Sequence, residues 1–74
     1  MLQSRAERQR HQILSAITAA GAHGYTDDEL QSLLSLDGNT QRPRRRELDI
    51  AGKIITSGKR VNARGNLCTV WVAA

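Results

Sequence analysis

The sequence predicts a single α+β domain over residues 1–74, in which three helices precede an antiparallel β-hairpin. In three segments, apolar residues recur at helical spacing, and each segment begins at a capping residue and ends at a glycine-containing break. After Gly52 the apolar residues alternate instead, as they do in strands with one buried face. These two patterns define the order helix, helix, helix, hairpin.

The first helix is predicted over residues 4–20. Ser4 is a suitable N-cap, and Glu7 follows at the spacing of a capping box. Gly21 supplies a stop signal. The face predicted to be buried carries apolar residues at helical spacing: Ile13, Leu14, Ile17 and Ala20.

The second helix is predicted over residues 26–36. Thr26 is its N-cap, and Glu29 completes a second capping box. Tyr25 and Leu30 have the spacing of a hydrophobic staple, and acids in the first turn suit the positive end of the helix dipole. The residues predicted to face inward are Leu30, Leu33 and Leu34.

The third helix is predicted over residues 40–51. Thr40 is its expected N-cap, and Pro43 then falls in the first turn, where its missing N–H costs nothing. Leu48 is expected to anchor the helix to the core. On a wheel of about 100° per residue, the outer half carries Arg42, Pro43, Arg46, Asp49 and Ile50. The inner half carries Gln41, Arg44, Arg45, Ala51 and Gly52.

The hairpin is predicted over residues 54–72, with its tip near residues 64–66. Val70 and Val72 then share one face, and Trp71 lies on the other, where packing against the helices is favoured over stacking on a base. Cys68 is expected to be a small buried residue.

Length and composition limit the classes of function. A chain of 74 residues is too short for a large enclosed active site, and one cysteine allows no internal disulfide. There is no base–nucleophile pair, phosphate loop or metal-ligand cluster, so neither an enzyme nor a bound metal or cofactor is expected. With no apolar run near 18 residues, we expect no membrane association and a cytoplasmic location.

Charge is concentrated in the second half of the chain. Residues 1–36 carry three arginines and four acids, whereas residues 37–74 carry eight cations and three acids. A one-sided positive field is typical of nucleic-acid binders. In the first half, Arg5, Arg8 and Arg10 are expected to form a solvated helix face.

Helices two and three, joined by a short Gly-containing turn, form a helix-turn-helix candidate. The stretches G-Y-T-D-D-E-L (24–30), N-T-Q-R-P-R-R-R-E-L (39–48) and A-G-K-I (51–54), followed by S-G-K-R (57–60) and V-W-V (70–72), together resemble the winged helix-turn-helix DNA-binding family. More narrowly, they are similar to small winged-helix proteins of phages and prophages.

This resemblance implies that helix three is a recognition helix and that the hairpin is a wing. It also implies a set of DNA-binding positions: Thr40, Gln41, Arg42, Arg45, Arg46, Lys59, Arg60 and Arg64. Lys53 departs from the family pattern, which has an apolar residue before Ile54. Ile50 departs from it as well, because a polar residue is more usual there.

The arginines of helix three are not equivalent. Arg42 and Arg46 point outward, which favours contact with DNA over a merely solvated face. Arg44 points inward, so an ion pair with Asp28 or Glu29 is favoured, with DNA contact as the alternative. Arg45 lies between the two positions, and its role stays open.

The function predicted from the sequence is sequence-specific binding of double-stranded DNA. The biological role would be transcription regulation or a phage DNA transaction, at the nucleoid or in the host cytoplasm. The alternative is a docking module for a host protein, which exposure of Leu36, Ile50 and Ile55 would support. RNA binding ranks below both, because the chain lacks an aromatic stacking platform. A monomer or a weak dimer through helix one is expected.

Overall fold

The computed structural model describes residues 3–74 and contains three helices followed by an antiparallel two-stranded hairpin. The elements are α1 (Arg5–Ala20), a 3-10 turn (Gly21–His23), α2 (Asp27–Leu34), α3 (Gly38–Ile50), β1 (Ile54–Val61) and β2 (Leu67–Ala73). The predicted α+β class and element order are thereby confirmed, and the arrangement is compatible with a winged-helix layout.

The core is aliphatic, with one tryptophan. Its buried members come from every helix and from both strands: Ile13, Ile17, Leu30, Leu48, Ile54 and Trp71. Trp71 is 6% exposed, which confirms its packing role. Leu33 is 54% exposed, so its predicted inward orientation is wrong. Helix α2 ends at Leu34 because Ser35 adopts a left-handed conformation with φ 55°.

The first two helices begin where their caps predict. The Glu7 backbone N–H donates to Ser4 Oγ over 3.1 Å. At α2, the Glu29 N–H donates to Thr26 Oγ1 over 3.3 Å, and the Thr26 N–H donates to Glu29 Oε1 over 2.9 Å. Both bonds of a capping box are therefore formed at Thr26.

Helix α3 begins three residues earlier than predicted. Asp37 is the N-cap, and its Oδ1 accepts from the Thr40 N–H over 2.8 Å, so the prediction of Thr40 as cap is wrong. Pro43 consequently lies inside the helix rather than in its first turn. Without an N–H, it leaves the Asn39 carbonyl without its usual intrahelical donor. Ala51 and Gly52 lie beyond the helix and are exposed.

A cap substitution tests this new helix start. We expect Asp37→Ala to lower the free energy of unfolding by about 0.5–2 kcal/mol, because the Thr40 N–H loses its acceptor. Thr40→Ala, the matched control, should change it by less than about 0.5 kcal/mol. Urea unfolding followed by circular dichroism measures both values. A larger loss for Thr40→Ala than for Asp37→Ala would contradict the assignment of the cap.

The hairpin is antiparallel and contains one irregularity. Ile54 pairs with Ala73 at its base and Val61 with Leu67 near its tip, while the register shifts between Thr56 and Lys59. In that segment β1 advances three residues, from Thr56 to Lys59, whereas β2 advances two, from Trp71 to Thr69. The extra residue on β1 makes this a β-bulge.

Tyr25 extends the hairpin on its other side. The Tyr25 N–H donates to the Trp71 carbonyl over 3.0 Å, and the Trp71 N–H donates to the Tyr25 carbonyl over 2.8 Å. The sequence predicted only a staple role for Tyr25, so this bridge was missed. It ties the chain between α1 and α2 to the hairpin. Within residues 3–74, no helix has both the length and the apolar character needed to cross a bilayer.

Candidate nucleic-acid interface

The outer face of α3 carries two exposed arginines in the middle part of the helix, Arg42 and Arg46, which we call the arginine face. They are four residues apart, so their side chains leave the helix on the same side. Among the described residues, no carboxylate lies within salt-bridge distance of either guanidinium. A shallow groove beside them is lined by Gly38, Asn39, Arg42, Pro43, Arg45 and Arg46. Both charges are therefore available to an anionic partner.

Gln41 belongs to the interior. Its side chain is fully buried, accepts from Gln31 Nε2 over 3.0 Å and donates to Asp27 Oδ1 over 2.9 Å. A buried amide needs such partners, and here they join α2 to α3. The prediction that Gln41 binds DNA is therefore wrong. Thr40, the neighbouring predicted contact, is partly buried on the same turn.

Arg45 is held by two other elements. Its Nε and Nη2 each lie 3.0 Å from an oxygen of the Asp27 carboxylate, which is a bidentate ion pair. Its guanidinium carbon also lies 4.7 Å from the centre of the Trp71 ring. Only 18% of the side chain is exposed. Arg45 therefore connects α2, α3 and β2, and its predicted contact with DNA stays a prediction.

Arg44 forms an ion pair, but with a different partner from the one expected. Its Nε lies 2.9 Å from Glu47 Oε1 on its own helix, and Arg10 Nη1 of α1 lies 2.8 Å from the same oxygen. The hydrogen bond from Arg10 is the main reason that the pKa of Glu47 lies below its ordinary 4.5. Partial desolvation opposes this lowering of the pKa, and the charge of Arg44 adds to it. Arg10 is thus part of the α1–α3 contact.

Arg60, predicted to contact DNA from the wing, fastens the hairpin to the rest of the domain. Its Nη2 donates to the His23 carbonyl over 2.9 Å and to the Gly24 carbonyl over 3.3 Å. Its Nε lies 3.3 Å from Glu29 Oε2. Arg60 therefore has partners within the fold, and its predicted contact with DNA stays a prediction.

Lys59 and Arg64 are the exposed cations of the wing. Lys59 Nζ donates to Thr69 Oγ1 across the hairpin over 2.9 Å. Arg64 lies in the loop between the strands, and no carboxylate of the described chain is within salt-bridge distance of it. Both side chains are therefore exposed positive charges on the hairpin.

A cleft brings the arginine face next to the wing. Arg42 and Thr69 line it together with Asp27, Asp28, Arg45, Cys68 and Trp71. Thr69 pairs with Lys59 and accepts from its Nζ, so Lys59 lies next to a residue that lines this cleft. Cys68 is only half-buried there, less than the sequence predicted.

One asparagine organises the wing tip. Asn62 Oδ1 accepts from the backbone N–H groups of Arg64 and Asn66, each over 2.9 Å. Its Nδ2 donates to Asp28 Oδ2 over 2.8 Å and ties the tip to the start of α2. An asparagine next to a glycine-containing loop is a known turn signal. Its hydrogen bond to Asp28 could not be predicted from the sequence, because no local pattern links the two residues.

Seven of the eight predicted site residues fall into two groups, and the eighth, Thr40, is partly buried. Arg42, Arg46, Lys59 and Arg64 are exposed, whereas Gln41, Arg45 and Arg60 are occupied by partners within the fold. Comparisons with protein-family models, with curated proteins and with solved structures find no match to this chain.

Proposed function

We propose that this protein binds double-stranded DNA as a winged-helix domain, with α3 in the major groove and the hairpin as the wing. The observation that carries the proposal is the contrast among the four arginines of α3. Arg44 and Arg45 are neutralised by acids of the fold, while the arginine face points outward with no carboxylate of the described chain within salt-bridge distance. The B-form major groove, about 12 Å wide, admits one helix.

The proposal assigns different roles to the exposed cations. Arg42 and Arg46 contact base edges or phosphates from the major groove, where an arginine can bind guanine O6 and N7 with two hydrogen bonds. Lys59 and Arg64 contact the sugar–phosphate backbone from the wing, which positions the domain without reading sequence. Asp49 lies on the outer face one turn after Arg46 and repels phosphate, so the contact is restricted to the part of α3 that ends at Arg46.

The biological role that fits a small DNA-binding domain of this kind is transcription regulation or a phage-type DNA transaction. The resemblance to small phage and prophage winged-helix proteins supports this part of the proposal. This role would place the protein in the cytoplasm, at the nucleoid.

A second candidate function is docking on another protein. Ile50 is 73% exposed and Ile55 is 53% exposed, whereas Leu36 packs against the core. Exposed aliphatic side chains on a small domain are typical of protein contacts when they are contiguous. Leu33, Val61 and Leu67 are exposed as well, and Leu33 and Val61 line one groove. We rank this function second because the charges of the arginine face favour an anionic partner.

Fluorescence anisotropy on a labelled duplex, titrated with salt, tests DNA binding directly. If the four exposed cations contact phosphates, the logarithm of the association constant should fall against the logarithm of salt concentration with a slope of about −3 to −4. A competing RNA duplex should displace the DNA poorly. Absence of binding at about 50 mM salt would contradict the proposal and leave the docking function.

A further inference from the structure

Gly38 is the first residue of α3 and lies under the side chain of Arg42. A Cβ built at Gly38 would lie 2.5 Å from Arg42 Nη1 and 2.9 Å from its Cζ and Nη2, and these three are its nearest neighbours. The Arg42 side chain therefore runs back along the helix toward the N-terminus, the direction that helical side chains prefer. Its guanidinium occupies the space that a side chain at position 38 would fill.

The backbone does not account for a glycine at this position. Gly38 is not one of the glycines with positive φ, and the other five are. Alanine is the better helix former, so a glycine inside a helix carries a cost that needs another reason. The Arg42 guanidinium supplies that reason, because it approaches closely only where there is no Cβ.

We infer that Gly38 is a positioning residue for Arg42 in DNA recognition, an inference that rests on the proposed function. Because Gly38 has no side chain, the guanidinium of Arg42 can lie over the first turn of α3, at the end of the helix that enters the groove. A Cβ displaces the flexible end of Arg42 without touching the core, so sequence discrimination changes while the fold does not. Gly38 itself contacts no base.

The experiment uses the full chain and two duplexes, one selected by the wild-type protein from a randomised pool and one of shuffled sequence. Gly38→Ala, Arg42→Ala and the double variant are compared by the ratio of the two affinities and by the unfolding temperature. Loss of one bidentate arginine–guanine contact corresponds to roughly a 5- to 150-fold fall in the ratio. We expect Gly38→Ala to lower the ratio by about 5-fold or more with an unchanged or higher unfolding temperature.

The double variant tests whether Gly38 acts through Arg42. We expect Gly38→Ala to cause no further loss when Arg42 is already alanine, because coupled residues are not additive. Ser15→Ala, on the exposed side of α1, is the control for altered helix propensity and should leave the ratio unchanged. An equal effect of Ser15→Ala, or an additive effect in the double variant, would overturn the inference.

The remaining outcomes separate the inference from the function on which it rests. If Arg42→Ala lowers the ratio and Gly38→Ala does not, the positioning role is wrong and DNA recognition stands. If the wild-type protein binds no duplex, the proposed function itself fails, and the inference fails with it.

Discussion

Replacing both members of the arginine face, Arg42→Ala with Arg46→Ala, is expected to weaken duplex binding by at least about 30-fold at low salt. Each arginine contributes either a phosphate contact or a base contact that is worth roughly 1–3 kcal/mol. The fold should be unaffected, since both side chains are exposed and have no carboxylate partner among residues 3–74. The loss would therefore report binding chemistry rather than unfolding.

Anisotropy over a series of salt concentrations measures this effect. If both arginines contact phosphates, the log–log salt slope should become shallower by about 1.8, since each contact contributes about 0.9. Arg5→Ala with Arg8→Ala removes the same number of charges from the exposed side of α1 and is the matched control. We expect that control to change affinity by no more than about threefold, because distant charges are screened. Equal losses for the two pairs would mean non-specific attraction.

The second large effect is expected at Arg45, and on stability rather than binding. Arg45→Met keeps the aliphatic stem but removes both hydrogen bonds to Asp27 and the stacking on Trp71. The Asp27 carboxylate would keep only the Gln41 amide as a partner. We expect the free energy of unfolding to fall by about 1–3 kcal/mol, because a partly buried charge is left under-satisfied.

Urea unfolding and the salt slope together distinguish a structural role of Arg45 from a DNA contact. Arg46→Met, at the next position, is the matched control. Its free energy of unfolding should stay within about 0.5 kcal/mol of the wild-type value. Its log–log salt slope for DNA binding should become shallower by about 0.9. Arg45→Met should show the opposite pattern, a loss of stability with an unchanged slope. A shallower slope without a loss of stability would make Arg45 a phosphate contact.

Local signals in the sequence predicted most of the fold. Ser4 and Thr26 form the predicted caps, and the change of period after Gly52 marks the hairpin. The start of α3 was missed because D-G-N is also a turn pattern, although Asp37 has the right spacing to cap the Thr40 N–H. The Tyr25 bridge to Trp71 was missed because a single paired residue has no periodicity to detect.

The candidate site was harder to predict, because its assignments depend on partners from other elements. The helical wheel placed Gln41 and Arg45 inward or between faces, yet a long polar side chain can extend past its own helix. Their partner Asp27 is 14 and 18 residues away, and only the assembled fold brings it into contact. Arg42 and Arg46 were easier, since an outward position needs no partner.

The link from Asn62 to Asp28 has a consequence for the kinetics of association. A loop held by three side-chain hydrogen bonds is already ordered in the free protein, so the wing does not need to fold when it meets a ligand. Encounter then resembles the docking of two rigid bodies, and the rate of capture follows the long-range attraction of the exposed cations. Without this hydrogen bond, the loop at the hairpin tip would be mobile in the free protein and would have to become ordered during each encounter.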